Sequence, residues 1–171
     1  MSKPRYSALN LWMHKIGSTK LGSWFFARTL HHIDRASLIL TGGRTTLSIA
    51  LTGFPEVMVT TIGAKSKLPR TLPLVYIRDD ADPRRFALIA SNFGQPHNPG
   101  WYYNLKANPI AECTLNGRTG KYVAREATGE EYDKFWQGAV NAYIGYPLYK
   151  QRAGGRHIPI MILSPLEPQD E

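Results

Sequence analysis

Two periodicities divide the chain. In residues 1–35, Leu9, Trp12, Met13 and Ile16 recur at i, i+3, i+4 and i+7, the spacing of one helical face, and Gly22 interrupts before Trp24, Phe25 and Phe26. From Ser37 the pattern becomes short β-branched or apolar runs: Ser37 to Leu40, Thr46 to Leu51, Glu56 to Ile62, Thr71 to Arg78 and Phe86 to Ala90. Gly42-Gly43, Gly53 to Pro55, Gly63 and the acidic cluster Asp79 to Pro83 separate them as turns. A short helix follows, with Asn98 as N-cap, Pro99 at the first helical position and Asn108-Pro109 closing it. Ile110 to Leu115 and Thr119 to Arg125 flank Asn116-Gly117, a strong hairpin signal because both turn residues accept positive φ. Thr128 and Glu131 then form a capping box for the clearest helix, whose apolar face is Tyr132, Phe135, Trp136, Ala139, Val140 and Tyr143. It ends near Gly145-Tyr146-Pro147. His157 to Leu163 is a last strand, in which Pro159 implies an edge or a bulge.

Several strands with flanking helices predict an α+β, mainly β fold: an antiparallel barrel preceded by an N-terminal amphipathic helix. The expected division is residues 1–36 as the helical segment, 37–166 as the barrel domain and 167–171 as a polar tail. A chain of 171 residues suits one domain with a true core. No Gly-x-Gly-x-x-Gly opens a βαβ unit, which argues against a Rossmann domain. No apolar run is long enough to span a bilayer, and no signal-peptide pattern is present. Cys113, the single cysteine, excludes an internal disulfide and fits a small apolar strand residue in a reducing cytoplasm.

Charge narrows the partners. A formal net charge of +8 favours an anionic one: a phosphorylated cofactor, acidic lipid or nucleic acid. Nucleic acid fits worst, because the basic residues form no stripe with interleaved aromatics. Lys3, Arg5, Lys15, Lys20 and Arg28 make residues 1–36 a basic amphipathic segment, which suits a membrane surface, its own domain or a second subunit.

Three stretches carry candidate chemistry. Gly63 to Arg70 reads G-A-K-S-K-L-P-R, a turn between strands whose Lys65, Ser66, Lys67 and Arg70 can hold phosphate by charge-assisted hydrogen bonds or simply be solvated. The upstream T-G-G-R-T-T, Thr41 to Thr46, is a rival phosphate loop. The polar exit after Phe86 to Ala90 faces the N-terminus of the Pro99 helix, with Trp101 and Tyr102 beside it, and can seat a flat polar ligand. Tyr143, Tyr146 and Tyr149 follow at spacings of three, where Gly145 and Pro147 break the helix; a loop tyrosine can orient or protonate a substrate. The histidines His14, His31, His32, His97 and His157 have no ligand spacing, and no metal site or Ser-His-Asp order is expected.

Asn98 to Pro109, N-P-G-W-Y-Y-N-L-K-A-N-P, resembles the N-P-x-W-x-x-N-L-x-A-N-P signature of the deazaflavin-dependent nitroreductase and quinone reductase family, and weaker likeness runs from about Val57 to Leu166. The resemblance implies a split β-barrel, like the FMN-binding split barrels, and reduced deazaflavin coenzyme F(420) as hydride donor. The implied acceptor is a small hydrophobic, electron-poor molecule: a quinone, an enone C=C bond or a nitroaromatic. By the same resemblance Lys65, Ser66 and Arg70 bind the cofactor's phosphate and polyglutamate tail. Leu72 and Pro73 run beneath the ring, and Ala90, Ser91, Asn92, Pro99, Trp101 and Asn104 border it. The resemblance also implies that Tyr146 and Tyr149 lie close to the substrate pocket, and Ser91, Tyr146 and Tyr149 are the candidate catalytic donors. The family turn is close to G-R-K-[ST]-G-x-x-R; here Ala64 replaces its arginine and Lys67 its glycine, so Lys67 restores the charge but not the geometry. FMN in the same barrel, a non-catalytic deazaflavin binder and a membrane-surface module are the alternatives. A cytoplasmic place, peripheral at the inner face of the membrane, and a homodimer complete the expectations.

Overall fold

A computed structural model of the chain describes residues 6–22, 25, 29, 51–115 and 117–166. The expected strand Ser37 to Leu40, the rival loop Thr41 to Thr46, the pair His31-His32 and the polar tail lie outside them, as does Asn116 of the hairpin turn. Of the run Thr46 to Leu51 only Leu51 is described, and it is helical with Thr52.

Helix α1 spans Ala8–Ser18. The strands are β1 (Glu56–Ile62), β2 (Pro69–Arg78) and β3 (Phe86–Ile89), then, after a 3-10 turn at Asn92–Gly94 and helix α2 (Gly100–Ala107), β4 (Ile110–Leu115) and β5 (Arg118–Glu126). Helices α3 (Gly129–Ala142) and α4 (Gly145–Arg152) lead into β6 (Ile160–Pro165). All neighbours pair antiparallel, and the order β1-β2-β3-β6-β5-β4 closes on itself as a barrel.

Strand composition follows which faces are covered. β1 alternates, with Val57, Val59 and Thr61 buried; β4 does the same with Ala111 and Cys113, and β5 with Tyr122 and Ala124. β3 is buried throughout: Phe86 and Leu88 join the barrel interior, while Ala87 and Ile89 join an outer cluster beneath α3 and α4. β6 divides likewise, Met161 and Leu163 inward against Ile160 and Ile162 outward. A strand covered on both faces reads as an unbroken apolar run, one covered on a single face as alternation. Burial in the interior pushes the Cys113 thiol up to about 12, which removes it as a nucleophile at neutral pH.

Several local expectations need correction. Helix α2 begins at Gly100 with Pro99 as its extended N-cap residue, and the Asn98 side chain is engaged by Arg156 instead of capping. Thr128 makes no side-chain cap, and the Glu131 side chain pairs with Arg85 and Arg125 instead of completing a capping box. Pro159 lies just ahead of β6 and its carbonyl accepts from the Ala90 amide, so it marks neither an edge nor a bulge in a closed barrel. Gly145 and Pro147 do not leave loop tyrosines; both lie in the first turn of α4, where the missing proline donor has no intrahelical partner to lose.

In α1 the expected apolar face is not the packed one. Leu9 and Trp12 are exposed, whereas His14 and Gly17 are buried. His14 stacks on Phe54 at 4.3 Å, its Nε2 lies 2.8 Å from the Thr52 carbonyl, and Tyr6 and Tyr143 meet it edge-on. A real capping box closes this helix at Ser7 and Asn10, and Asn10 Nδ2 also donates to the Leu51 carbonyl.

Candidate active site

The closed antiparallel order collects three connections at one rim. β1 and β3 end there, and β2, β4 and β6 begin there; the register pairs Ile62 with Pro69, Ile89 with Ile160, and Glu126 with Met161. The basic turn, the 90–99 loop with α2, and the descent of α4 toward β6 therefore meet at the same end of the barrel.

The basic turn is tightly determined. The Gly63 amide donates to the Leu68 carbonyl (2.9 Å), and the Lys67 amide donates to the Gly63 carbonyl (2.8 Å). A Cβ on Gly63 would lie 2.4 Å from Ser66 Oγ, so a side chain there would displace the serine hydroxyl. Asn104 on α2 clamps the turn from outside: its Oδ1 accepts from the Ala64 amide (3.0 Å) and its Nδ2 donates to the buried Thr61 hydroxyl (3.0 Å). Lys67, at the position of the family's glycine, adopts φ 57°, a left-handed conformation that glycine takes without strain. The side chains of Lys65, Lys67 and Arg70 are exposed and make no hydrogen bond or ion pair with any described residue.

Across the rim, the chain leaving β3 is held by Arg156. Its Nε donates to the Gln95 carbonyl (3.1 Å) and one terminal nitrogen to the Ser91 carbonyl (2.9 Å). The other reaches the carbonyls of Ala90 and His157 (both 3.3 Å) and Asn98 Oδ1. No ion pair among the described residues neutralises this guanidinium. Within the loop, Asn92 (φ 48°) and Phe93 (φ 55°) are left-handed, and Asn92 Nδ2 donates to the His97 carbonyl (2.9 Å). Ala90 is fully buried, its amide bonded to the Pro159 carbonyl (2.9 Å). Ser91 is half-buried, and its hydroxyl has no partner among the described residues.

Of the other expected ring contacts, Leu72 and Pro73 lie half-buried on β2, with Leu72 against the interior cluster. Trp101 is part of that cluster and Pro99 stands at the head of α2. The tyrosines are more deeply packed than a loop would leave them. Tyr146 and Tyr149 are buried on α4; the Tyr149 hydroxyl donates to the Gly17 carbonyl of α1 (2.9 Å) and lies 3.1 Å from that of Tyr143. Burial pushes the phenols of Tyr143 and Tyr146 well above their ordinary value. Helix α4 nonetheless borders the loop: the Phe93 and Tyr149 rings are 5.9 Å apart, and a Cβ on Gly94 would lie 2.9 Å from the Tyr149 carbonyl.

Residues 29–165 match the F(420)H(2)-dependent quinone reductase family. The chain belongs to that family. It is 37% identical over 119 residues to the F(420)H(2)-dependent quinone reductase Rv1261c of Mycobacterium tuberculosis, a span of 64% of this chain and 73% of the mycobacterial protein. Among solved structures it is similar to the F(420)-H2 dependent reductase FDR-A, with 37% identity and a TM-score of 0.57 over 64% of this chain and 94% of that one. A second structure, described as a domain-swapped dimer, shares 33% identity and a TM-score of 0.60 over 76% of this chain and 95% of that one.

The protein is thus an F(420)-dependent reductase on a split-barrel fold, with reduced F(420) as its cofactor. The rim fits that cofactor chemically. It offers free cations on a clamped turn for an anionic tail, and, across α2, a tied-back loop with an unengaged serine hydroxyl. Sequence reasoning missed Arg156, because a lone arginine before a strand carries no local signal of the distant carbonyls it gathers. It also missed that Asn104 acts as a clamp, with Thr61 as its buried partner; a threonine among inward-facing valines was the available hint.

Proposed function

We propose that this reductase passes a hydride to a small hydrophobic acceptor of quinone type at the described rim, with enones and nitroaromatics as further acceptors. Residues 37–166 would carry the cofactor. Lys65, Ser66 and Arg70 hold its phosphate and tail by charge-assisted hydrogen bonds. Leu72 and Pro73 support the ring from β2, and Ala90, Ser91, Asn92, Pro99, Trp101 and Asn104 form or brace its surroundings. When bound, reduced F(420) supplies the hydride from its carbon 5. The free Ser91 hydroxyl is the donor best placed to stabilise charge developing on an acceptor oxygen, and Arg156 fixes the backbone that presents it. Tyr146 and Tyr149 close the wall behind the loop and exclude water, and both stay candidates for the donor beside Ser91.

The observation that carries this reading is the pair Lys65 and Arg70, unmatched by any described carboxylate on a turn that Asn104 ties to α2. Parallel titrations with reduced F(420), FMN and NADPH test it. Binding of F(420) well ahead of the other two is expected; tight FMN binding without F(420) binding would sink the assignment.

A membrane-facing role has its own support. No helix among the described residues is long and apolar enough to cross a bilayer. Leu9, Leu11 and Trp12 are exposed on α1 beside Lys15 and Lys20, which suits peripheral attachment at the inner face of the cytoplasmic membrane. Replacing Leu9 and Trp12 with glutamate should abolish pelleting with anionic liposomes; equal pelleting would remove the role. The solved relative described as a domain-swapped dimer supports a homodimer here, which light scattering tests directly.

A further inference from the structure

The geometry points to Lys67 as an additional anchor for the anionic end of the cofactor, kept in a backbone conformation that works against the fold. The inference rests on the reading of the basic turn as the tail site. Lys67 stands at φ 57°, where a Cβ crowds the following carbonyl and glycine does not. The turn imposes this conformation: the Lys67 amide is tied to the Gly63 carbonyl, the Gly63 amide to the Leu68 carbonyl, and the Ala64 amide to Asn104.

A residue that breaks a local rule needs a compensating gain, and folding offers none here. The Lys67 side chain is exposed and makes no hydrogen bond, ion pair or ring contact with any described residue. What it adds is a third free cation, with Lys65 and Arg70, on the same exposed turn. A phosphate with a polycarboxylate extension is ligand chemistry that three free cations on one turn suit: two cations can share the phosphate while a third meets the carboxylates beyond it. Lys67 therefore determines affinity for the tail and leaves the ring untouched.

Three variants separate charge from strain. Lys67→Gly removes both, Lys67→Gln removes the charge and keeps the strain, and Lys67→Arg keeps both. The probes are F(420), followed by its own fluorescence, and the dephosphorylated, tail-less deazaflavin alcohol. For Lys67→Gly a Tm raised by about 2–4 °C is expected, together with F(420) binding weakened about 3–10-fold at low salt. The salt dependence should become shallower, and binding of the tail-less alcohol should not change. Lys67→Gln should show the same weakening at the parent's Tm, and Lys67→Arg should bind as the parent does. If Lys67→Gly binds F(420) as tightly as the parent while Lys65→Ala with Arg70→Ala does not, this inference alone falls. If the double variant also binds normally, the reading of the whole turn falls with it.

Discussion

The fold treats the charged residues of the rim turn and of the flank beneath α3 in opposite ways. On the flank, Asp79, Arg85, Arg125, Glu131 and Lys134 are joined in one network. Asp79, almost wholly buried, accepts from Lys134 (2.7 Å) and the Ala81 amide (3.1 Å) and lies 3.3 Å from Arg85; Arg85 also reaches Glu131, which receives two hydrogen bonds from Arg125. The network ties α3 to the β2–β3 connection and to β5. At the rim, Lys65, Lys67 and Arg70 stand exposed without such partners, and one of them sits in a strained conformation. A buried carboxylate must be matched or it destabilises the fold; an exposed cation that helps nothing in the fold is available for a ligand. The pairing of charges, not their number, separates scaffold from site.

The contrast can be broken most forcefully at the turn. Lys65→Ala with Arg70→Ala should weaken F(420) binding about 100-fold at low salt, less as salt rises, because two charge-assisted contacts are lost. Thermal unfolding of the same variant should match the parent within a degree; a large drop in Tm would put these residues on the structural side. Asp79→Asn should do the reverse, removing about 2 kcal/mol of stability, or about 4–8 °C in Tm, with F(420) affinity unchanged. Calorimetry and the binding titration together decide which region each residue serves.

Acid should sharpen the difference. Burial opposes ionisation of Asp79, but Lys134, the Ala81 amide and Arg85 together hold its pKa below the usual aspartate value. Glu131 is lowered first by its hydrogen bond from Arg125. With folded values depressed, the flank's contribution is complete above the ordinary carboxylate range and is lost as pH falls below about 5 through the folded values. Urea midpoints measured from pH 7 to 3 should fall faster for the parent than for Asp79→Asn. Parallel curves would show that Asp79 does not couple to folding.

Arg156 is the intermediate case, a rim charge spent on backbone carbonyls. Arg156→Lys keeps the charge and loses the planar fork, and should cost about 1 kcal/mol of stability. Amides of residues 91–98 should lose hydrogen-exchange protection, and F(420) binding should weaken about threefold. Protection equal to the parent's would mean the loop holds itself.

Much of this architecture was legible in the residue pattern. β1 and β4 run from the expected first residue to the expected last, because their alternation is the direct imprint of one buried face. The family signature from Asn98 to Pro109 located the helix at the rim, and the basic turn was visible as charge between two strands. Two of the failures share one cause. Asn98, Glu131 and Thr128 each had a plausible local partner, and Arg156, Arg85 and Arg125 outcompeted the local partners of the first two from elsewhere in the fold. In α1 the apolar stripe of Leu9 and Trp12 lost to His14, whose ring found Phe54, Tyr6 and Tyr143.

The amino-acid sequence alone determined the strand periods, the family membership and the excess of positive charge, since each is a property of neighbours along the chain. Tertiary structure alone decided that three connections meet at one rim, that Asn104 clamps the turn, and which cations remain without partners. Those outcomes depend on side chains brought together across the barrel from distant parts of the chain, as Arg156 and Ala90 are at a separation of 66 residues, and no local pattern encodes a contact at that separation.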